Sequence, residues 1–233
     1  MFQNRQQAGL LLAKRLKTYE SRLDTLVLAI PRGGVVVGAA IAKQFNLPLA
    51  VVVVKKLGAP GNSELAIGAI APDGIKVIDA PMALRLGVDQ QYLDEEIERK
   101  KKEVQEREKK YKVQSFPPQR DPASGGTKFT VMNYKIIVLV DDGIATGATV
   151  QAALKYINHQ KLTTHPSIPL RAGNSQLKTI LAVPVIAKDS YDRLKSEVDE
   201  LIALKVPESF GSVGQFYREF PQVSDEEVKK ILE

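Results

Sequence analysis

The chain has 233 residues, 44% of them apolar and 26% charged, with a formal net charge of +6. These proportions fit a soluble globular protein long enough to bury a core, as one large domain or a domain with an elaboration. The lack of cysteine excludes disulfides, thiol nucleophiles and thiolate metal sites; the two histidines, His159 and His165, lie in a polar stretch and argue against a histidine metal centre. The first residues lack a signal-peptide apolar core, and no apolar run is long and unbroken enough to span a bilayer, so a cytoplasmic protein without membrane contact is expected.

In chain order, residues 5–17 carry Ala8, Leu11, Leu12 and Leu16 at helical spacing and read as an amphipathic helix. An apolar run of strand length at 25–30 leads into Pro31, Arg32, Gly33 and Gly34, and then a helical segment at 35–45. The β-branched run 49–54 reads as a buried strand. Residues 57–68 contain Gly58, Pro60, Gly61, Asn62, Ser63 and Gly68, and read as a loop. Short strands are expected at 66–70 and 76–79, joined by Pro72, Asp73 and Gly74. Residues 89–112 read as a long charged helix whose apolar positions, Leu93, Ile97, Val104 and Tyr111, lie near one narrow face; docking on the domain is the default and docking on a second subunit the alternative. Its acidic and basic residues are interleaved, as on a solvated face rather than a nucleic-acid footprint, so nucleic acid is not the expected partner.

Residues 114–128 are rich in Pro, Gly and Ser and read as a linker. A strand at 135–140 and a helix at 150–158 follow, then a polar excursion at 159–176 containing Pro166 and Pro169. Further strands are expected at 179–186 and 201–206, and a closing helix at 225–232. Strands alternating with helices predict an α/β fold: an open, mostly parallel sheet flanked by helices, with ligands gathered outside the carboxyl ends of the strands.

The most informative run is 138–150, Val-Leu-Val-Asp-Asp-Gly-Ile-Ala-Thr-Gly-Ala-Thr-Val. An apolar strand ends in two carboxylates, Asp141 and Asp142, and the short loop Ala145, Thr146, Gly147, Ala148 and Thr149 leads into a helix. Vicinal hydroxyls donate well to carboxylates, and loop amides at a helix N-terminus hold a phosphate dianion, so the arrangement suits a sugar phosphate. The alternative for Asp-Asp-Gly alone is a turn with solvated acids.

This run resembles the PRPP-binding signature of the type I phosphoribosyltransferases, in which apolar residues, an acidic pair and a Thr-Gly loop occur in that order. The resemblance implies that Asp141 and Asp142 contact the ribose hydroxyls and that Ala145 through Thr149 hold the 5′-phosphate. Pro31, Arg32, Gly33 and Gly34 are similar to the pyrophosphate loop of bacterial xanthine-guanine phosphoribosyltransferases, where a non-proline cis peptide is common; one is expected near Arg32. Lys55 and Lys56, just past a strand, become candidate pyrophosphate partners, with a strand end meeting solvent as the alternative. The loop behind them stands where the family has its flexible catalytic loop, and its one acid, Glu64, is a candidate proton handler.

The resemblance also implies Mg²⁺ carried on PRPP and water-mediated to Asp141 or Asp142, with no dedicated protein cage. The family pattern implies a single domain over 1–233, a helical insertion at about 82–128, a small hood at about 205–233 and a possible homodimer. Phe210, Phe216, Tyr217 and Phe220 in the hood are candidates for stacking on a base, the alternative being that they pack the C-terminal segment onto the sheet. Lys188 is a candidate for an exocyclic oxygen, or a surface lysine. One position departs from the family: the 6-oxopurine enzymes place an aspartate where this chain has Ala145. The whole chain resembles a group of stand-alone bacterial phosphoribosyltransferase-like proteins, which share the Gly-Ala-Pro-Gly-Asn stretch and the C-terminal Val-Pro-Glu stretch. The expected function is transfer of ribose 5-phosphate from PRPP to a nitrogenous base, with release of pyrophosphate. The alternative is a PRPP- or nucleotide-sensing regulator on the same fold, possibly binding nucleic acid.

Overall fold

The computed structural model describes residues 1–20, 22, 24–112, 134–163 and 177–233, with backbone only at residues 64 and 161–163. Helix α1 (Arg5–Arg15) starts on Asn4, whose side chain accepts from the Gln7 amide. Strand β1 (Thr25–Ala29) runs through three residues into α2 (Gly33–Phe45), and β2 (Leu49–Val51) follows. Next come β3 (Lys55–Ala59), β4 (Asn62–Ile70) and β5 (Lys76–Ile78), then α3 (Ala80–Arg85) and α4 (Gln90–Lys110). The remainder is β6 (Ile136–Val140), α5 (Ala148–Thr163), β7 (Lys178–Val185), α6 (Lys188–Leu194), β8 (Glu200–Lys205) and α7 (Asp225–Leu232).

The main sheet is parallel throughout, in the order β2-β1-β6-β7-β8. Its central strands are apolar at nearly every position because both faces are covered. Val27, Val138 and Ile180 face α1 and α2, with Leu12, Val37 and Ile41 opposite them. Leu28, Leu139 and Leu181 face α5, against Val150, Leu154 and Ile157. Strand β1 neighbours β2 on one side and β6 on the other, so the connections diverge between β1 and β6. That divergence opens a crevice at the strands' carboxyl ends, where both signature loops emerge.

The expected loop at 57–68 is instead most of an antiparallel hairpin, β3–β4, which β5 extends to a three-stranded sheet. The glycines there serve close backbone approach rather than looping. A Cβ on Gly68 would stand 2.3 Å from the Val77 carbonyl oxygen, and one on Gly58 would stand 2.8 Å from the Ser63 Cα. The strand expected over 49–54 ends at Val51. Val52, Val53 and Val54 stay buried as the chain crosses to the second sheet.

Helix α4 docks as its apolar stripe implied: Ile97, Val104 and Tyr111 pack with Leu57, Ile67 and Ile70. Helices α3 and α6 were not anticipated, and α5 runs on past 158 into the segment read as an excursion. The linker at 114–128 and the remainder of the excursion, 164–176, lie outside the described residues. Among the described residues no helix is long and apolar enough to cross a membrane.

Candidate active site

Strands β1 and β6 end level with one another. Ala29 pairs with Val140, and the Ile30 amide donates to the Val140 carbonyl at 2.9 Å. Residues 30–34 therefore stand beside 141–149. The Pro31–Arg32 peptide is cis, at the position expected from the sequence. Gly33 and Gly34 have a role that sequence reasoning did not give them. A Cβ on Gly33 would fall 1.8 Å from Asp142 Oδ2, and one on Gly34 would fall 2.9 Å from the Val140 carbonyl oxygen. The double glycine lets the start of α2 lie directly against the acidic pair.

Asp142 is the most tightly held residue of the pair. Its Oδ2 accepts from Arg5 Nε at 2.7 Å, and both side chains are largely shielded from solvent. Arg5 also donates through Nη1 to the Pro221 carbonyl at 2.7 Å, and its guanidinium lies 3.6 Å from the centre of the Phe220 ring. The Asp142 carbonyl in turn accepts from the Tyr217 hydroxyl at 2.6 Å. Asp141 accepts the Asp142 amide on Oδ1 at 2.8 Å. Burial, and then the adjacent Asp142 charge, push the Asp141 carboxyl well above the ordinary carboxylate range, and the Lys56 charge opposes them.

Helical spacing at residues 5–17 gives Arg5 no role beyond opening an amphipathic helix. The signal was available: a cation in the first turn of a helix opposes the helix dipole and needs a tertiary reason. The chain ends complete this network, since the Phe2 amide donates to the Phe216 carbonyl at 2.7 Å and the Arg218 amide to the Phe2 carbonyl at 2.8 Å. Tyr217 is thereby corrected as a base-stacking candidate. It is buried, with ring centroids 5.3 Å from Phe2 and 4.9 Å from Phe220. Phe220 is likewise occupied by Arg5. Phe210 and Phe216 are half-buried against each other at 5.2 Å. The C-terminal segment passes over the acidic pair, and Val213 sits where any side chain at residue 143 would be; Gly143 makes that room.

In the loop after the pair, Ala145 and Thr146 are exposed and Gly147 has φ +77°, a value that favours glycine. Ala148 and Thr149 open α5, whose first helical bond runs from the Gln151 amide to the Gly147 carbonyl at 2.9 Å. The preceding helix amides have no intrahelical acceptor. Two α6 side chains reach this loop: Ser190 Oγ donates to the Ala145 carbonyl at 2.5 Å, and Arg193 Nη2 to the Thr146 carbonyl at 2.6 Å. Neither residue was singled out from the sequence, because α6 itself was missed. The readable signal was Ser190, Arg193 and Leu194 at helical spacing straight after a strand.

The structure separates the two lysines, whose side chains alternate across β3. Lys55 Nζ is bound to Glu103 Oε2 on α4 at 2.8 Å. Burial alone would raise the Glu103 carboxyl, but hydrogen bonds from Lys100 and Lys55 outweigh it and bring it to about 2. Lys56 is exposed and near enough for Asp141 to feel its charge. Among the described residues neither Lys56 nor Arg32 enters an ion pair. Helix α4 also grips the bulge of the hairpin: Glu96 accepts from the Gly58 amide at 3.1 Å, and the Tyr92 hydroxyl donates to the Gly58 carbonyl at 2.9 Å. Glu64 lies in β4, with its side chain outside the described residues. Lys188 pairs with Asp192 one turn along α6 at 2.6 Å, as a surface lysine does.

Two glycine-containing loops and an acidic pair meet where the connections of a parallel α/β sheet diverge. The sequence profile of the phosphoribosyl transferase domain matches residues 5–192, and the chain belongs to that family. Its parallel sheet with flanking helices has the type I phosphoribosyltransferase fold. A Mycobacterium tuberculosis protein provisionally assigned as a phosphoribosyl transferase, known from two strains, is 37% identical over 234 residues, which cover 100% of this chain and 46% of that protein. The chain thus spans about half the length of the curated relatives it matches. A Thermus thermophilus protein of known crystal structure is 36% identical, with a TM-score of 0.68 over 100% of this chain and 97% of that one.

Proposed function

We propose that this chain transfers ribose 5-phosphate from PRPP to a nitrogenous base and releases pyrophosphate. The observation that carries the reading is the meeting, at the β1/β6 divergence, of an acidic pair, a loop with outward amides and two cations without ion-pair partners among the described residues. Asp141 and Asp142 accept the ribose hydroxyls, and residues 145–149 hold the 5′-phosphate. Arg32 and the amides of Gly33 and Gly34, together with Lys56, take the pyrophosphate, while Pro31 sets the turn. Lys55 acts through Glu103, holding the hairpin to α4, rather than on the leaving group.

Displacement at the anomeric carbon puts positive charge on the sugar ring and negative charge on the departing pyrophosphate. The residues' task is positioning and charge neutralisation. Magnesium, which family membership implies, fits the donors here. Two adjacent carboxylates, whose mutual repulsion a cation would relieve, suit the water shell of an ion carried on PRPP oxygens. A bound ion would supply further neutralisation of the pyrophosphate. We place the base under the segment that carries Phe210 and Phe216, in one domain over 1–233, in the cytoplasm.

A sensor of PRPP or a nucleotide is the second reading. It is favoured by Ala145, an exposed alanine where a 6-oxopurine enzyme's acid would stand. The deciding experiment follows pyrophosphate release from PRPP and Mg²⁺ by mass spectrometry, with each of a panel of bases offered separately. Release that depends on one base, with the matching nucleotide formed, establishes the transferase. Base-independent release marks a hydrolase instead, and PRPP binding without turnover marks the sensor.

A further inference from the structure

Resting on the assignment of residues 145–149 to the 5′-phosphate, we infer that Ser190 and Arg193 of α6 are positioning residues that aim the phosphate loop. Two successive carbonyls of the loop, those of Ala145 and Thr146, are drawn to α6 by Ser190 Oγ and Arg193 Nη2. Both peptides are trans, and a trans peptide points its N–H opposite to its C=O. Tying the two carbonyls to α6 therefore turns the amides of Thr146 and Gly147 to the opposite side, toward the crevice. Neither amide donates to an acceptor among the described residues, although Gly147 is buried. Buried amides are nearly always satisfied, and an anion is the partner this geometry provides for.

The latch is cross-braced. Arg193 Nη2 also donates to Ser190 Oγ at 3.2 Å, so one guanidinium orders the hydroxyl and a carbonyl together. Gly147 packs behind, where a Cβ would stand 3.2 Å from Leu194 Cδ1 and 3.7 Å from Arg193 Nη2. The Ile144–Ile186 bridge, with the Ile144 amide on the Val185 carbonyl at 2.9 Å, fixes the loop's start to the strand that feeds α6. The loop is thus joined to α6 at 145 and 146, and at 144 to the residues just before it. Arg193 lies on the carbonyl side, away from the anion, and acts through the loop rather than on the substrate.

The test measures binding of ribose 5-phosphate and of inorganic pyrophosphate by isothermal titration calorimetry to the wild type and to Arg193→Ala, Arg193→Lys and Ser190→Ala. Loss of a charged donor predicts roughly tenfold weaker ribose 5-phosphate binding by Arg193→Ala, and loss of a neutral one roughly threefold weaker binding by Ser190→Ala. Pyrophosphate affinity stays within about twofold in both, because its site is on the other loop. Arg193→Lys, a compact charge without the fork, recovers only part of the loss. Equal losses for both ligands, or unchanged ribose 5-phosphate affinity in a folded Ser190→Ala, overturn the latch. A wild type that binds pyrophosphate but not ribose 5-phosphate overturns the phosphate-loop assignment itself, a result distinct from both.

Discussion

On the side of the cleft proposed to take the ribose phosphate, Asp142 is bound to Arg5 and Tyr217, and the following loop to Ser190 and Arg193. On the side proposed to take the pyrophosphate, Arg32 and Lys56 enter no ion pair among the described residues, and the hairpin that carries Lys56 has register shifts on either side of Gly58. The contrast follows from how each side binds. Amides and carboxylates recognise a ligand only if the backbone beneath them is fixed, because they have no reach of their own. Long cations find phosphate oxygens through their own rotamers and depend less on how the backbone beneath them is aimed.

Breaking the tight side gives the largest effect. Arg5→Ala leaves Asp142 a shielded carboxylate without its partner, and is expected to cost about 3 kcal/mol in urea unfolding and to weaken PRPP binding. Adding Asp142→Asn should recover much of that stability. A single-variant loss below about 1 kcal/mol would mean that water replaces the guanidinium and that the contrast is overdrawn.

The cationic side is sharpened by its two lysines. Lys56→Ala is expected to weaken pyrophosphate binding roughly tenfold, whereas Lys55→Ala should leave that affinity nearly unchanged and loosen the α4–hairpin contact. The reverse order in calorimetry would reassign the leaving-group cation.

A pH series probes the acidic pair. Burial and the Asp142 charge raise the Asp141 carboxyl, so between its ordinary and raised values the folded chain keeps a proton that the unfolded chain has lost. Stability therefore declines as pH rises through that window, and binding of Mg²⁺ with PRPP tightens across it with release of roughly one proton. Calorimetry in buffers of different ionisation enthalpy reads the proton directly; its absence would mean that Asp141 is already ionised in the free protein. The smallest effect belongs to Phe220→Leu, which keeps the packing but loses the face under Arg5, at about 0.5–1 kcal/mol. A larger loss in thermal unfolding would show that the ring closes the site rather than only bracing Arg5.

Much of the site could be read along the chain because its parts are local. Asp141, Asp142 and 145–149 follow one strand, Pro31 to Gly34 another, and each strand announces itself by an apolar run. The hairpin is hidden in the sequence because Gly58 and Gly68 carry the composition of a loop, while their place in the fold is against a neighbouring backbone. Tyr217 looked like a stacking platform because an aromatic in a C-terminal segment gives no sign of whether its hydroxyl is already engaged.

What the sequence by itself determined is the parallel sheet, covered on both faces, and the two loops that open at its carboxyl edge. Burial pattern and loop chemistry are properties of consecutive residues. Tertiary structure alone decided that Arg5 holds Asp142, that Glu103 takes Lys55 and leaves Lys56 exposed, and that α6 binds the carbonyls of Ala145 and Thr146. Each of these joins residues far apart in the chain, and no local periodicity encodes which distant side chain will stand within hydrogen-bond reach once the sheet has closed.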